Sequence, residues 1–234
     1  MLVGLVAGVL AFVFASLFGE SPINSAIAFE GLHSHGGDEP EPVSRAVQST
    51  AGLAVAVAVY GAALGGIFAL AFALVYGRIG AVGARATALL VAGVGFVAFS
   101  LVPFLKYPAN PPAVGSEETI GRRTSLYFLM VLFGILAAVG AVLLARSLTP
   151  RLGTWNAVLV AIGAFVAVVA LVGVLLPGVN EVPSDFPATV LWRFRIASLG
   201  TQLVVWTTFG LLFGGLTERS LRRRAEALRP APAG

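Results

Sequence analysis

The sequence contains no cysteine and only two histidines in 234 residues. Without thiols, the chain cannot form disulfides, iron–sulfur clusters or thiolate metal sites. It also lacks the Walker A, H-E-x-x-H and G-x-S-x-G motifs of nucleotide-binding proteins, zinc peptidases and serine hydrolases. We therefore expect that the chain is not an enzyme and does not hydrolyse nucleotides to drive a process.

Charged residues are scarce, at 11% of the chain, whereas hydrophobic residues make up 58%. A helix of roughly 20 apolar residues spans the ~30 Å hydrocarbon core of a bilayer. Six runs have this length: Met1–Phe18, Gly52–Tyr76, Thr87–Leu105, Ser125–Ala145, Trp155–Leu176 and Ile196–Leu216. They predict an all-α, polytopic membrane bundle of six transmembrane helices. Five remain if the first run is a signal peptide, cleaved at the small-residue site Ala26–Ala28.

The connections between these runs are short, and the longest are Gly19–Thr50 and Lys106–Thr124. Neither can form a separate soluble domain, so residues 1–234 are expected to form a single transmembrane domain. Residues 19–50 are interpreted as an outer loop rich in histidine and acidic residues. Residues 217–234 are interpreted as a basic cytoplasmic tail.

The distribution of charge predicts an orientation. If the N-terminus is cytoplasmic, that side holds nine arginines and two glutamates, a net charge of +7, against −3 outside. The positive-inside rule then places both termini in the cytoplasm of a bacterial cell. The last run is followed by Arg219, Arg222, Arg223, Arg224 and Arg229. This position indicates contact with anionic lipid rather than with nucleic acid.

An internal repeat of helical hairpins is predicted for residues 51–115 and 124–187. Leu90–Ala98 resembles Leu159–Ala167, and Asn110 falls opposite Asn180. Both hairpins begin on the outer side, so the repeat is parallel, as in several transporter folds. Alternatively, the runs resemble one another through their composition alone.

Two G-x-x-x-G pairs, Gly61 with Gly65 and Gly210 with Gly214, predict close helix packing.

The outer loop holds both histidines of the chain. In an extended segment, His33 and His35 project to the same side and can converge on one ion. Acidic residues lie close by, and the predicted metal ligands are His33, His35, Asp38, Glu39 and Glu30. Imidazole and carboxylate groups suit divalent Co, Ni, Zn or Cu. The alternative is a solvated polar loop without a metal.

A second candidate site follows the third run, where Pro103, Pro108 and other prolines prevent regular structure. Irregular backbone of this type is tolerated at membrane depth where it lines a cavity. We predict the mouth of an ion path here, formed by Lys106 and Asn110 with their repeat partners Asn180 and Glu181. Alternatively, Lys106 only extends to the membrane interface beside Tyr107.

Four arginines are predicted to lie near acidic residues on the outer side: Arg122, Arg123, Arg193 and Arg195. The favoured interpretation is ion pairing between adjacent outer loops with residues such as Glu181. A role in selecting ions is the alternative.

Several segments closely resemble the CbtA family of predicted cobalt-transporter membrane subunits. They are Pro42–Thr50, Tyr76–Arg78, Leu101–Pro112, Asn180–Pro183, Phe186–Pro187 and Leu191–Arg195. The resemblance implies uptake of Co²⁺, with Ni²⁺ as the next candidate, for cobalamin synthesis. It also implies a partner, CbtB, which is a small single-span subunit that carries histidines. No permanently bound cofactor is expected.

The leading hypothesis is therefore a subunit of a divalent metal-ion transporter in the bacterial cytoplasmic membrane. The alternative is a non-transporting membrane subunit that packs against a larger membrane complex or against further copies of itself.

Overall fold

The computed structural model describes residues 1–33, 48–112, 114–115 and 117–228. Eight α-helices occur in these residues, and no strand does. They are α1 (Leu2–Phe18), α2 (Glu20–His33), α3 (Leu53–Val75), α4 (Ala84–Gly95), α5 (Val102–Lys106), α6 (Glu117–Leu175), α7 (Ala188–Thr208) and α8 (Gly214–Ala227). Three π-helical segments adjoin them: Gln48–Gly52, Phe96–Leu101 and Phe209–Phe213. The predicted all-α class is confirmed.

Four continuous helical stretches are long and apolar enough to cross a membrane: Thr50–Val75, Ala84–Lys106, Thr119–Leu175 and Ala188–Ala227. The bent pair Leu2–Phe18 and Glu20–Gly31, with an angle of 55°, qualifies as a fifth. Apart from single end residues, every predicted run therefore falls within a helix or helical stretch. The prediction of a polytopic helical membrane protein is confirmed.

The longest helix, α6, contains two of the predicted spans. A straight helix of 59 residues would be about 88 Å long, almost three times the thickness of the hydrocarbon core. The helix breaks at Gly153, which has φ 74° and ψ 162°, shortly after Pro150. The predicted connection between these spans is thus mostly helical, and a single glycine divides them.

The chain divides into two compact units. Unit 1 consists of Met1–Leu17, Gly37–Gly93 and Gly200–Gly234. Its core packs small residues of α1 and α4 against aromatic side chains of α3, α7 and the last π-helical segment. At its centre, the ring of Phe68 stacks on that of Phe209 with a centroid separation of 5.0 Å.

The helices of unit 1 approach each other at glycines. A Cβ at Gly65 would lie 3.0 Å from the Cα of Gly4, and one at Gly61 would overlap the Gly4 carbonyl. A Cβ at Gly210 would lie 3.0 Å from Leu89 Cδ2, and one at Gly214 would lie 2.9 Å from Ala88 Cβ. The close packing predicted for both G-x-x-x-G pairs is confirmed.

Unit 2 consists of Phe18–Gly36 and Val94–Leu199. In this unit, the two parts of α6, before and after Gly153, pack against each other. Met130 of the first part lies in one cluster with Phe165, Val169 and Val172 of the second. A second cluster joins α2 to the chain before α7, where the rings of Phe29 and Phe186 meet edge to face at 5.0 Å. Unit 2 therefore contains a helical hairpin and an additional packed helix.

The interpretation of residues 19–50 as a loop is wrong for its first part, because Glu20–His33 forms α2. Ala26 is fully buried, and Phe29 packs on Phe186. Burial of these apolar residues stabilises a helix that the polar composition of the segment conceals. His33 is the last residue of this helix. The predicted extended segment, which would project His33 and His35 to the same side, therefore cannot begin before His33.

A proline shapes the helix that leads to the candidate mouth. Pro103 is buried in α5, directly after the π-helical segment Phe96–Leu101. Since proline has no N–H, it cannot bond to the carbonyl of Phe99 one turn earlier. The Tyr127 hydroxyl from α6 donates to that carbonyl at 3.3 Å. The two helices are thereby joined near the end of the third predicted span.

We predict that Gly61→Ala destabilises the protein, because the added Cβ forces α3 away from α1. Overpacking of this kind costs about 1–3 kcal/mol, and the midpoint of thermal unfolding in detergent should fall. Gly66→Ala on the same helix is the control, since a Cβ there meets nothing within 4 Å. Equal midpoints for the two variants would contradict the close approach.

Candidate functional site

Two connections of unit 2 meet at a small cavity. The segment after α5 contributes Tyr107, Pro108 and Asn110, and the segment after α6 contributes Val179–Val182. Arg123 of α6 and Arg195 of α7 complete the lining. The cavity has a volume of about 30 Å³, which is room for roughly one or two water molecules.

A tyrosine joins the two connections. The Tyr107 hydroxyl donates to the carbonyl of Pro177 at 2.8 Å, across 70 positions of sequence. Burial raises the pKa of the Tyr107 phenol above its usual value, although the positive charge of Arg122 opposes this shift. This hydrogen bond ties the segment after α5 to the segment after α6.

Arg195 holds the first connection in place. Its Nη2 donates to Asn110 Oδ1 at 3.0 Å, and its Nε donates to the carbonyl of Ala109 at 3.3 Å. The planar guanidinium thus contacts a side chain and the adjacent backbone at once, which defines its orientation. Arg195 is a structural element of one wall of the cavity.

Arg123 forms an ion pair with Glu181. Its Nη1 lies 2.6 Å from Glu181 Oε2. The Glu181 side chain is only 7% exposed, whereas that of Arg123 is 32% exposed. The other carboxylate oxygen, Oε1, is buried and has no hydrogen-bond partner among the described residues. Such an oxygen is costly to bury, because it has lost its water without gaining a donor.

Gly115 covers the ion pair. Its backbone has φ 133°, which residues with a Cβ rarely adopt. A Cβ at this position would lie 2.9 Å from Arg123 Nη1 and 3.0 Å from Glu181 Oε2. The backbone can approach the ion pair this closely only because the residue is glycine.

The charged groups lining the cavity do not cancel. Among the described residues that line it, two guanidinium groups accompany one carboxylate, so their formal charge is +1. A cation that enters is attracted by Glu181 and repelled by both arginines. A dehydrated cation also requires oxygen ligands, and Oε1 is one that no other described group uses.

The structure brings together three of the four residues predicted for the mouth. Asn110, Asn180 and Glu181 line the same cavity. Lys106 is not part of the lining, and its Nζ lies 6.0 Å from the centre of the Tyr107 ring. This arrangement favours the alternative interpretation of Lys106 as an interface residue. That the other three bind an ion remains a prediction.

The predicted ion pairing between the connections is present as Arg123 with Glu181. Sequence reasoning missed Gly115 and the hydrogen bond from Tyr107. One available signal was the repeat itself, since Tyr107 and Pro177 are separated by 70 positions, as are Asn110 and Asn180.

The predicted metal ligands of the first connection are only partly visible. Glu30 lies exposed on α2, and His33 is the last residue of that helix. His35, Asp38 and Glu39 lie outside the described residues. Within the described ranges, no three acidic or histidine residues are grouped so that they could hold a metal ion.

The chain matches the CbtA family, described as probable cobalt transporter subunit, over residues 1–218. The chain belongs to the CbtA family. The resemblance noted in the sequence is thereby confirmed, and it covers the cavity and all the helices that position it. The family description supports a role as a subunit of a cobalt transporter, with Co²⁺ as the substrate. No curated protein and no solved structure matches the chain.

Membrane character is confirmed together with the family, and the surface of α6 is consistent with it. Large apolar side chains are exposed along this helix, including Phe128 and Val174. A continuous apolar surface is costly in water but not in lipid, where it meets acyl chains.

We predict that Gly115→Ala destabilises this CbtA protein more than Gly178→Ala. The first variant places a methyl group against the ion pair in a strained backbone conformation, which costs about 1–3 kcal/mol. A Cβ at Gly178 meets nothing within 4 Å. Thermal unfolding of both variants in nanodiscs measures the difference. Equal stability would show that Gly115 does not cover the Arg123–Glu181 pair.

Proposed function

We propose that this CbtA protein is the membrane subunit through which Co²⁺ enters a bacterial cell for cobalamin synthesis, with Ni²⁺ as the next candidate. The observation that supports this proposal is the match to the CbtA family over residues 1–218, together with the carboxylate of Glu181 among the residues that line the cavity. It offers a ligand in a chain that otherwise has few.

The cavity matters because the predicted spans contain no aspartate, glutamate or histidine. A divalent ion that loses water needs oxygen or nitrogen ligands in exchange. Among the described residues that line the cavity, the carboxylate of Glu181 is the charged candidate ligand, and the amide of Asn180 is a neutral one. Deeper in the bundle, only backbone carbonyls, hydroxyls and amides remain, so a partner chain would contribute further ligands.

The orientation follows from the charge distribution. With both termini in the cytoplasm, the arginine-rich end of α8 lies inside and the cavity opens to the outer face of the cytoplasmic membrane. The predicted ligands His33, His35, Asp38, Glu39 and Glu30 then lie on the same outer side. They would collect Co²⁺ before it reaches Glu181, together with the histidines of a CbtB-like partner.

The direct test is uptake of radioactive Co²⁺ into liposomes that contain the protein and its CbtB-like partner. The uptake rate of liposomes with the unmodified protein should exceed that of protein-free liposomes. Glu181→Gln should lower the initial rate at least about tenfold, because it removes the carboxylate found among the described residues that line the cavity. Glu226→Gln, at the opposite predicted end, is the matched control and should leave the rate unchanged.

Absence of uptake by the unmodified protein with its partner would contradict the proposal. Isolation of the chain from native membranes in a stoichiometric complex with other machinery would then favour the alternative of a non-transporting subunit.

The first connection can be tested separately. We predict that the double variant His33→Ala, His35→Ala lowers uptake at limiting Co²⁺ but not at saturating Co²⁺, since collecting residues raise the local ion concentration only. The control is Ser34→Ala between them. An equal loss at both concentrations would place the histidines in the path itself, and no loss would remove them from the proposal.

A further inference from the structure

The predicted cytoplasmic end of unit 1 brings arginines from two helices together. A Cβ at Gly214, the first residue of α8, would lie 3.2 Å from the Cα of Arg85 in the first turn of α4. One turn further along α8, Glu218 Oε2 lies 3.0 Å from Arg85 Nε. Glu218 Oε1 accepts a hydrogen bond from Arg222 Nη2 at 3.0 Å. One carboxylate therefore holds two guanidinium groups side by side, one from each helix.

The carboxylate orients the two guanidinium groups without cancelling their charge, because the three groups carry a net charge of +1. Each guanidinium has five N–H groups, and the contacts with Glu218 use only Nε of Arg85 and Nη2 of Arg222. The side chains of Arg85 and Arg222 are 57% and 75% exposed, whereas that of Glu218 is 26% exposed. An anion that approaches this end of unit 1 therefore meets the guanidinium groups before the carboxylate.

The two helices run antiparallel, because successive turns of α4 meet successively earlier residues of the other helix. Arg85 lies against Gly214, and one turn later Leu89 lies against Gly210, where a Cβ would be 3.0 Å from Leu89 Cδ2. Both helices belong to stretches that are long and apolar enough to cross a membrane. The direction from Arg85 to Leu89 therefore leads from the end of a span into the hydrocarbon region.

Exposed leucines follow the guanidinium groups along both helices. Leu89 and Leu211 are each about half exposed. Leu211 precedes Glu218 by seven residues, which is about two turns, so the two residues lie on the same side of their helix. These residues form a shallow groove, the α4–α8 groove, with Arg85 and Arg222 at one end and the two leucines along it.

We propose that the α4–α8 groove binds one anionic phospholipid, with Arg85 and Arg222 at its phosphate and with Leu89 and Leu211 along an acyl chain. The sequence predicted contact of the basic tail with anionic lipid in general. The structure adds a defined site, to which α4 contributes one of the two guanidinium groups. The groove lies within unit 1 and shares no residue with the cavity of unit 2, so this site is independent of the proposed function.

The depth of the guanidinium groups fits the phosphates of a bilayer. Arg85 lies two residues before the apolar run that begins at Thr87, and Glu218 lies two residues after Leu216, which ends the last run. Two residues of helix are about 3 Å long, whereas the headgroup region on each side of the hydrocarbon core is roughly 5–8 Å thick. Arg222 reaches back one turn to Glu218, so its guanidinium lies at a similar depth.

The chemistry of the site favours a headgroup with a net negative charge. Guanidinium groups bind phosphate oxygens through paired N–H···O hydrogen bonds. In phosphatidylglycerol the charge of the phosphate is unopposed, whereas in phosphatidylcholine the ammonium group of the same headgroup neutralises it. A site with a net charge of +1 therefore binds the first lipid more tightly than the second.

The test is native mass spectrometry of the full chain in a non-ionic detergent, titrated with phosphatidylglycerol or with phosphatidylcholine. The unmodified protein should bind phosphatidylglycerol more tightly. Arg222→Gln and Arg85→Gln should each raise the apparent Kd for this lipid about fivefold, which is the effect of one basic side chain near an anionic headgroup. Thermal unfolding shows whether each variant is folded, and the exposure of Arg222 makes its variant the safer one.

Arg224→Gln is the matched control. It removes the same charge from the same helix, but Arg224 lies about 200° around the helix axis from Arg222, and its apparent Kd should equal that of the unmodified protein. Equal losses in Arg222→Gln and Arg224→Gln would indicate diffuse attraction to the basic tail and would overturn the site. Absence of phosphatidylglycerol binding by the unmodified protein would also overturn it.

Inorganic phosphate separates a lipid from a dissolved anion as the ligand. A large excess of inorganic phosphate should leave phosphatidylglycerol bound, because the acyl chain along Leu89 and Leu211 contributes to the affinity of the lipid only. Displacement of the lipid by inorganic phosphate would show that the guanidinium groups alone determine binding, and it would reject the assignment to a phospholipid.

Discussion

One buried carboxylate, Glu181, and the guanidinium of Arg123 that neutralises it hold the described part of this site together. Glu181 is removed from water, and its charge is tolerated because Arg123 lies 2.6 Å away. The surrounding structure maintains this contact: Gly115 brings its backbone against the pair, Tyr107 joins the two connections, and Arg195 fixes the segment at Asn110. The second oxygen has no partner among the described residues, so the neutralisation of the carboxylate depends on the contact at Oε2.

This arrangement suits a protein whose membrane helices offer an ion almost no ligands. A cation cannot leave water for an apolar bundle unless some charge meets it at the entrance, yet a permanently free buried carboxylate would be costly to the folded protein. Arg123 lowers this cost, because its guanidinium neutralises the buried carboxylate. The glycine contacts within unit 1 have a different role, which is to pack helices in lipid, where apolar burial provides little driving force.

The helical class was predictable from the sequence, because runs such as Trp155–Leu176 have no stable structure in lipid other than a helix. Helix α2 was not, since its stability comes from the contact of Phe29 with Phe186, which are 157 positions apart. The break at Gly153 was likewise hidden in a short polar connection. For the site, the spacing of the predicted repeat indicated that Asn110 and Asn180 lie at corresponding positions, and both line the cavity. Opposite charges predicted that Arg123 pairs with an acidic residue such as Glu181. Glycine is needed at position 115 because the backbone there lies against the Arg123–Glu181 pair, and this contact is visible only in the folded chain.

The dependence of this region on the Arg123–Glu181 pair is measured most directly by a double-mutant cycle in thermal unfolding. Arg123→Gln should lower the midpoint, because it leaves a buried carboxylate without its partner, and the double variant Arg123→Gln, Glu181→Gln should recover part of that loss. Strictly additive losses would contradict a coupling between the two side chains.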